Sequence, residues 1–165
     1  ALPKRKGFFL SDIFNKQITF RQLSVFMNAL FLHPMETQPF KLLIVDDEPE
    51  IGELLTYNFR KRGFEVVTAS NGFTGFKALE KYQPDAIILD IMMPYVNGIS
   101  MCKQLKNDNR YKDIPVVFLS ATNNDELIQD ALNAGGTRFI SKPVHISLLI
   151  DMIVEMKQSG KKLAG

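Results

Sequence analysis

Cysteine is almost missing from this 165-residue chain, which has Cys102 alone. A single cysteine excludes an intramolecular disulfide and every zinc or iron–sulfur site that needs several cysteines. Histidine is nearly as scarce, and two isolated histidines, His33 and His145, cannot form a histidine metal cage. Glycine and proline are not enriched, and there is no internal repeat or low-complexity tract, which argues against a fibrous or disordered protein. The 45% of hydrophobic residues is enough for one domain with a real core.

The net charge is only +2, but it is unevenly distributed along the chain. Residues 1–34 carry five Lys or Arg and one Asp, a net charge of +4. Residues 35–165 carry 15 Lys or Arg and 17 Asp or Glu, a net charge of −2. The asymmetry calls for separate interpretations, and we divide the chain into an N-terminal extension, residues 1–34, and a domain, residues 35–165.

The extension is basic and apolar, but it does not have the pattern of a signal peptide or a membrane span. Polar residues interrupt its apolar runs, notably Asp12, Lys16 and Arg21. Residues 19–22 resemble a capping box, which predicts a helix over about residues 20–32. The alternative is that residues 1–34 are non-native or poorly ordered sequence. Only five basic residues lie among many Phe and Leu, so we expect no nucleic-acid binding.

From residue 39 onward, short apolar runs alternate with segments of helical periodicity. The runs cover residues 42–45, 66–67, 86–89, 116–119 and 139–140. Apolar runs without alternation are typical of strands buried on both faces, as in a parallel sheet covered by helices. The segments between them place apolar residues on one side of a helix, for example at Ile51, Leu54, Leu55 and Phe59. Cys102 falls on another such stripe, which indicates a small core residue rather than a redox sensor.

Proline and glycine divide the chain in agreement with these segments. Pro49 suits the first turn of a helix, with Asp46 or Asp47 near its cap. Gly63 and Gly135 follow helical stripes, as C-cap glycines do. Five strands and five helices in strict alternation predict an α/β fold with a doubly wound, five-stranded parallel sheet.

Polar residues follow four of the five apolar runs. They are Asp46, Asp47 and Glu48 after the first run, Asp90 after the third, Ser120 after the fourth and Lys142 after the fifth. In this fold the chemistry lies at the carboxyl ends of the strands, so we expect these side chains at one edge of the sheet. Each also has an ordinary interpretation of its own: helix cap, loop residue, turn residue or solvated lysine.

Taken together, these residue types favour phosphoryl chemistry. Carboxylates packed together repel one another unless a cation lies among them, and Mg²⁺ prefers such oxygen ligands. A lysine and a hydroxyl can neutralise and bind phosphoryl oxygens. A central carboxylate can act as the nucleophile and become an acyl phosphate.

Five motifs, in order and at the expected separations, resemble the receiver domain of bacterial response regulators, which are the phosphoacceptors of two-component systems. The resemblance covers roughly residues 39–158 and rests on Leu43-Ile44-Val45-Asp46-Asp47-Glu48, Asp85-Ala86-Ile87-Ile88-Leu89-Asp90-Ile91-Met92-Met93-Pro94, Asn97-Gly98, Pro115-Val116-Val117-Phe118-Leu119-Ser120-Ala121 and Phe139-Ile140-Ser141-Lys142-Pro143. It implies the flavodoxin-like (βα)5 fold.

The resemblance also implies roles for individual residues. Asp90 matches the phosphoacceptor, and the implied ligands of Mg²⁺ (or Mn²⁺) are Asp46, Asp47, Asp90 and the backbone carbonyl of Met92. The phosphoryl group would be bound by Ser120, Lys142 and the backbone N–H of Ala121. The remaining matches are an aromatic switch at Phe139, a cis peptide between Lys142 and Pro143, and a lifetime-tuning position at Thr122. A permanently buried core residue is the alternative interpretation of Phe139.

The implied function is phosphoryl transfer from a histidine kinase or phosphotransfer protein onto Asp90, followed by a change of the partner-binding surface. Such a chain is a self-catalysed phosphoacceptor with slow autodephosphorylation rather than an enzyme. We expect it in the bacterial cytoplasm, with a protein as its target. A homodimer through the fourth helix, fifth strand and fifth helix is a further option.

The chain ends soon after the last predicted helix, which favours a stand-alone receiver whose output is protein contact or phosphate drainage. One alternative is a transcription regulator whose DNA-binding domain is missing from this chain. Another is an interaction module that works without phosphorylation, against which the complete set of acidic, hydroxyl and lysine residues argues. An aspartate-nucleophile phosphatase of the haloacid type is less favoured, because its Asp-x-Asp strand end is absent.

Overall fold

The computed structural model describes residues 38–121 and 124–163. Predictions for the extension, residues 1–34, and for Thr122 therefore lie outside the described residues. The strands are β1 Lys41–Val45, β2 Glu65–Ala69, β3 Ala86–Asp90, β4 Val116–Ser120 and β5 Arg138–Ser141. The helices are α1 Pro49–Arg60, α2 Gly72–Lys81, α3 Gly98–Asn107, α4 Asp125–Asn133 and α5 Ile146–Leu163.

All five strands pair in parallel in one sheet, in the order β2-β1-β3-β4-β5. This arrangement confirms the predicted doubly wound α/β fold. The strand order changes direction between β1 and β3, and the carboxyl ends of these two neighbours therefore form the edge of the sheet where a site is expected.

Helices cover both faces of the sheet, so the described residues contain two hydrophobic cores. One core joins the sheet to α1 and α5 through residues such as Ile88, Val117 and Ile153. The other joins it to α2, α3 and α4 through residues such as Leu89 and Phe118. Because successive residues of a strand point to opposite faces, a continuous apolar run supplies both cores at once. Cys102 is completely buried in the second core, as predicted.

The helix ends contain the glycines and the proline that the sequence predicted there. Gly63 and Gly135 have φ of +80° and +99°, values that favour glycine after a helix. Pro49 begins α1, but its N-cap is Glu48. Asp46 and Asp47 therefore lie near the cap, as expected, but neither is the cap residue, because the chain is still leaving β1 at those two positions. In the described residues, no helix combines the length and apolar character needed to cross a membrane.

Candidate functional site

Three carboxylates meet where β1 and β3 end. The pairing of Val45 with Leu89 places the next residues of the two strands, Asp46 and Asp90, side by side. The ligand oxygens of Asp46, Asp47 and Asp90 all lie within 4.8 Å of one another. Asp46 and Asp90 are buried, whereas Asp47 is more open to solvent. The edge of the sheet thus brings together the acidic residues that the strand-end pattern predicted.

Lys142 reaches the same cluster from the end of β5. Its Nζ lies 3.0 Å from Asp46 Oδ2, 3.0 Å from Asp90 Oδ1 and 2.7 Å from Glu48 Oε1. Its backbone N–H donates to the Ser120 carbonyl at 2.7 Å, which fixes the end of β5 beside the end of β4. The peptide bond between Lys142 and Pro143 is cis. The ammonium group is therefore held among the carboxylates by both backbone and side-chain contacts.

The carboxylate of Asp46 is oriented by the backbone that follows it. Its Oδ1 accepts a hydrogen bond from the Glu48 N–H at 2.9 Å. Its buried Oδ2 has the charge contact with Lys142, but no hydrogen bond of good geometry. A buried carboxylate oxygen without a directed hydrogen bond, next to two further carboxylates, suits a hard divalent cation. The residues present therefore fit Mg²⁺, with Asp46, Asp47 and Asp90 able to hold it.

The surroundings shift the pKa values of the two central groups. Burial raises the pKa of Asp90, and the negative charges of Asp46 and Asp47 raise it further, while Lys142 opposes both effects. Burial alone would lower the pKa of Lys142, but the neighbouring carboxylates of Glu48, Asp46 and Asp90 outweigh it and hold this pKa above its ordinary value. Lys142 therefore stays charged, and Asp90 is a carboxylate whose ionised form needs a nearby cation.

The other predicted residues lie around this cluster. Ser120 is the last residue of β4 and is fully buried, and the exposed Ala121 follows it. Phe139 is half-buried against the α2–α4 core and lines a surface groove with Ile128 of α4. Met92 lies in the loop after β3 with an exposed side chain. These positions place the hydroxyl at the strand-end edge and the aromatic residue on the neighbouring strand β5.

Two residues near the site have roles that the sequence did not reveal. The Glu48 side chain binds Lys142, which is 94 residues away in the sequence. A Cβ atom on Gly98 would overlap the carbonyl oxygen of Asp90, so α3 approaches the end of β3 more closely than any other residue would allow. The sequence showed Glu48 as a third acid at a strand end and Gly98 in the Asn97-Gly98 motif, but it gave no role to either residue.

Comparison with known proteins connects this geometry to one family. The profile described as "Response regulator receiver domain" matches residues 42–154. The regulator RpaA of Synechocystis, named a DNA-binding dual master transcriptional regulator, is 33% identical over 110 residues, which cover 67% of this chain and 46% of that protein. PhoP of Bacillus subtilis, an alkaline phosphatase synthesis transcriptional regulatory protein, is 38% identical over 103 residues, covering 62% of this chain and 42% of that protein. The chain thus spans less than half the length of these two relatives.

Solved structures of similar proteins have the same fold. Chemotaxis response regulator CheY4 of Vibrio cholerae superimposes with a TM-score of 0.68 at 27% identity, over 72% of this chain and 99% of that one. A putative response regulator from Chloroflexus aurantiacus gives 0.69 at 28% identity, over 72% of this chain and 98% of that one. In each case the solved chain is covered almost completely.

Proposed function

Because this chain belongs to the family of response regulator receiver domains, we propose that it accepts a phosphoryl group on Asp90 from a histidine kinase or a histidine phosphotransfer protein. The observation that carries the proposal is the contact of Lys142 with both Asp90 and Asp46 inside a cluster of three aspartates. The Asp90 nucleophile, the Lys142 ammonium group and oxygen ligands for a metal cation are thereby held at one edge of the sheet.

The proposed transfer is a substitution at phosphorus. A carboxylate oxygen of Asp90 forms a bond to the phosphorus, and the phosphorus–nitrogen bond of the donor phosphohistidine breaks, with its electron pair returning to the imidazole nitrogen. Lys142 neutralises the charge that gathers on the phosphoryl oxygens. The Ser120 hydroxyl and the Ala121 backbone N–H are the proposed donors to the same oxygens.

A divalent cation belongs to this proposal. Asp46, Asp47, Asp90 and the backbone carbonyl of Met92 would hold Mg²⁺ or Mn²⁺, a choice supported by the oxygen-only donor set. When bound, the cation supplies charge neutralisation between the carboxylates and the phosphoryl oxygens. The protein supplies the rest, because it keeps Asp90 buried, oriented and next to a permanently charged lysine.

The proposed output is a change of surface rather than turnover of a separate substrate. A phosphoryl group on Asp90 adds negative charge at the strand-end edge, towards which Ser120 can move. Phe139 on β5, which is only half-buried, can move into the space that Ser120 leaves at the end of the neighbouring strand β4. The face made by α4, β5 and α5 would then bind a protein target or a second copy. The proposed setting is the bacterial cytoplasm, with the chain classed as a phosphoacceptor, not an enzyme.

Phosphorylation with a small donor tests this function. Incubation with Mg²⁺ and acetyl phosphate is expected to add one acid-labile phosphate, about 80 Da by intact-protein mass spectrometry. Asp90→Asn is expected to abolish the uptake. Asp85→Asn is the matched control, because Asp85 lies just before the other end of the same strand, and it is expected to take up phosphate like the parent.

Uptake that persists in Asp90→Asn would overturn the assignment of the acceptor. Uptake by the parent that is unaffected by a chelator would overturn the cation requirement. Phosphotransfer profiling against the histidine kinases of the source organism would then identify the donor.

A second candidate function is the receiver part of a DNA-binding transcription regulator. It is favoured by the names of RpaA and PhoP and by their length, of which this chain spans less than half. The genomic reading frame decides between the two candidates. An in-frame DNA-binding domain after residue 165 would support the regulator, and a stop codon there would support the stand-alone receiver.

A further inference from the structure

Glu48 occupies a helix-capping position but does not cap the helix. It is the N-cap residue of α1, and its side chain makes no hydrogen bond to the first turn. Side chains at this position ordinarily accept a hydrogen bond from the helix N–H groups. The Glu48 carboxylate instead accepts one from Lys142 Nζ at 2.7 Å, while its own backbone N–H is fixed on Asp46. The acid is thus directed at the lysine of the phosphorylation site.

The ammonium group of Lys142 has as many carboxylate neighbours as it has N–H groups. An ammonium carries three N–H donors. Oxygens of Asp46, Glu48 and Asp90 lie within 3.0 Å of Nζ, and the lysine side chain is only 11% exposed. A phosphoryl oxygen that approaches Lys142 therefore competes with these carboxylates, and among them with Glu48, whose oxygen accepts a hydrogen bond from Nζ.

Burial decides which carboxylate can leave. The side chains of Asp46 and Asp90 are 1% and 4% exposed, whereas that of Glu48 is 56% exposed. Moving Glu48 away from Lys142 transfers its charge into water, where it is well solvated. Moving either aspartate would leave a charge buried without its partner, which costs far more. Glu48 is the one of the three that can exchange its place with a phosphoryl oxygen.

We propose that Glu48 is a positioning residue that holds Lys142 in the unphosphorylated protein and yields it to the incoming phosphoryl group. The inference rests on the proposed function of Asp90 as acceptor. It adds that Glu48 competes with the phosphoryl group for Lys142. Glu48 stands outside the three-aspartate cluster, so its role is exerted on Lys142 and not on the cation.

Two charge-neutralising variants test this role. Glu48→Gln keeps the shape of the side chain but removes the charge that holds Lys142. Glu50→Gln removes the same charge two residues further along, from an exposed position in the first turn of α1. Phosphoramidate is the probe, and the rate of phosphorylation is measured over a range of its concentration. The half-saturating concentration is expected to fall about two- to fivefold for Glu48→Gln and to stay at the parent value for Glu50→Gln.

A spectroscopic measurement separates positioning from a general effect of charge. Hydrogen exchange of the Lys142 ammonium, followed by ¹⁵N NMR in the unphosphorylated, metal-free protein, is expected to be faster in Glu48→Gln than in the parent and in Glu50→Gln. A parent-like half-saturating concentration or unchanged exchange in Glu48→Gln would overturn the inference. If the parent itself takes up no phosphate, the proposed function fails instead, so the two failures are distinguishable.

Discussion

Burial makes the carboxylate of Asp90 costly to ionise. Only 3% of the residue is exposed, and desolvation raises its pKa above the ordinary value of 3.8. Between these two pKa values the folded state binds more protons than the unfolded state, so stability falls as the pH rises through this interval. The proposed acceptor position is therefore one where burial of a carboxylate lowers stability.

This cost predicts that Asp90→Asn stabilises the fold at neutral pH. The amide has no charge to desolvate, while Lys142 keeps Asp46 and Glu48 as partners. The gain in the free energy of unfolding is expected to be small at about pH 3 and to grow as the pH rises towards about 7. Urea unfolding of variant and parent at several pH values, with a chelator present, measures it. Parallel pH profiles, or a variant less stable than the parent at neutral pH, would contradict the prediction.

The residues of the site differ in how well their contacts could be predicted from sequence. Asp46, Asp90 and Ser120 directly follow or end buried strands, so the topology alone brings them to one edge. The Lys142–Glu48 contact depends instead on the rotamers of two long side chains, and no local pattern encodes it. The cap residue of α1 is a similar case, because the sequence placed Asp46 or Asp47 near the cap and only backbone geometry shows that Glu48 is the N-cap.

Among the elements, the central strands follow the apolar runs closely and the edge strands do not. β3 and β4 have a partner on each side and helices on both faces, so almost all of their residues had to be apolar. β2 and β5 have a single neighbour, and they include the exposed residues Glu65 and Arg138. Only two apolar residues of each edge strand formed a run, since an edge position tolerates polar side chains.

Helix α3 depends on a glycine at its first residue, whereas α1 contains one that it does not need. A Cβ on Gly98 would overlap the Asp90 carbonyl oxygen and lie 3.1 Å from the Ile91 Cα, and neither backbone atom can move easily. At Gly52, inside α1, the nearest atom would be Thr68 Cγ2 at 3.9 Å, an ordinary contact. The same change to alanine is therefore expected to have opposite effects in the two helices.

We expect Gly98→Ala to lower the free energy of unfolding by about 3 kcal/mol, because it overpacks the end of β3. Gly52→Ala is expected to raise it by about 0.5–1 kcal/mol, since alanine restricts the unfolded chain and favours the helix. Urea unfolding of both variants at one pH provides the comparison. Equal effects on both helices would show that the close approach of α3 to β3 is not what selects glycine at residue 98.

For the described domain as a whole, the two hydrophobic cores share one sheet. Ile88 and Leu89 are adjacent on β3, yet the first packs under α1 and α5 and the second under α2, α3 and α4. Neither helix layer can lose its contacts without exposing residues on strands that also support the other layer. The sheet therefore couples the two cores, and through β3 and β5 it couples both to the edge that carries Asp90 and Lys142.

This coupling predicts one cooperative unfolding transition for the described domain. Ile88→Ala and Leu89→Ala are each expected to cost about 2–5 kcal/mol, because each leaves a cavity in a fully buried position. Methyl NMR of labelled isoleucines follows both cores at once, with Ile91 reporting on the α2–α4 side and Ile153 on the α1–α5 side. In both variants the two signals are expected to disappear at the same urea concentration. Earlier loss of the Ile91 resonance in Leu89→Ala, while the Ile153 resonance is still native, would mean that the two helix layers unfold separately. A chemical change at Asp90 could then alter one face of the sheet without the other.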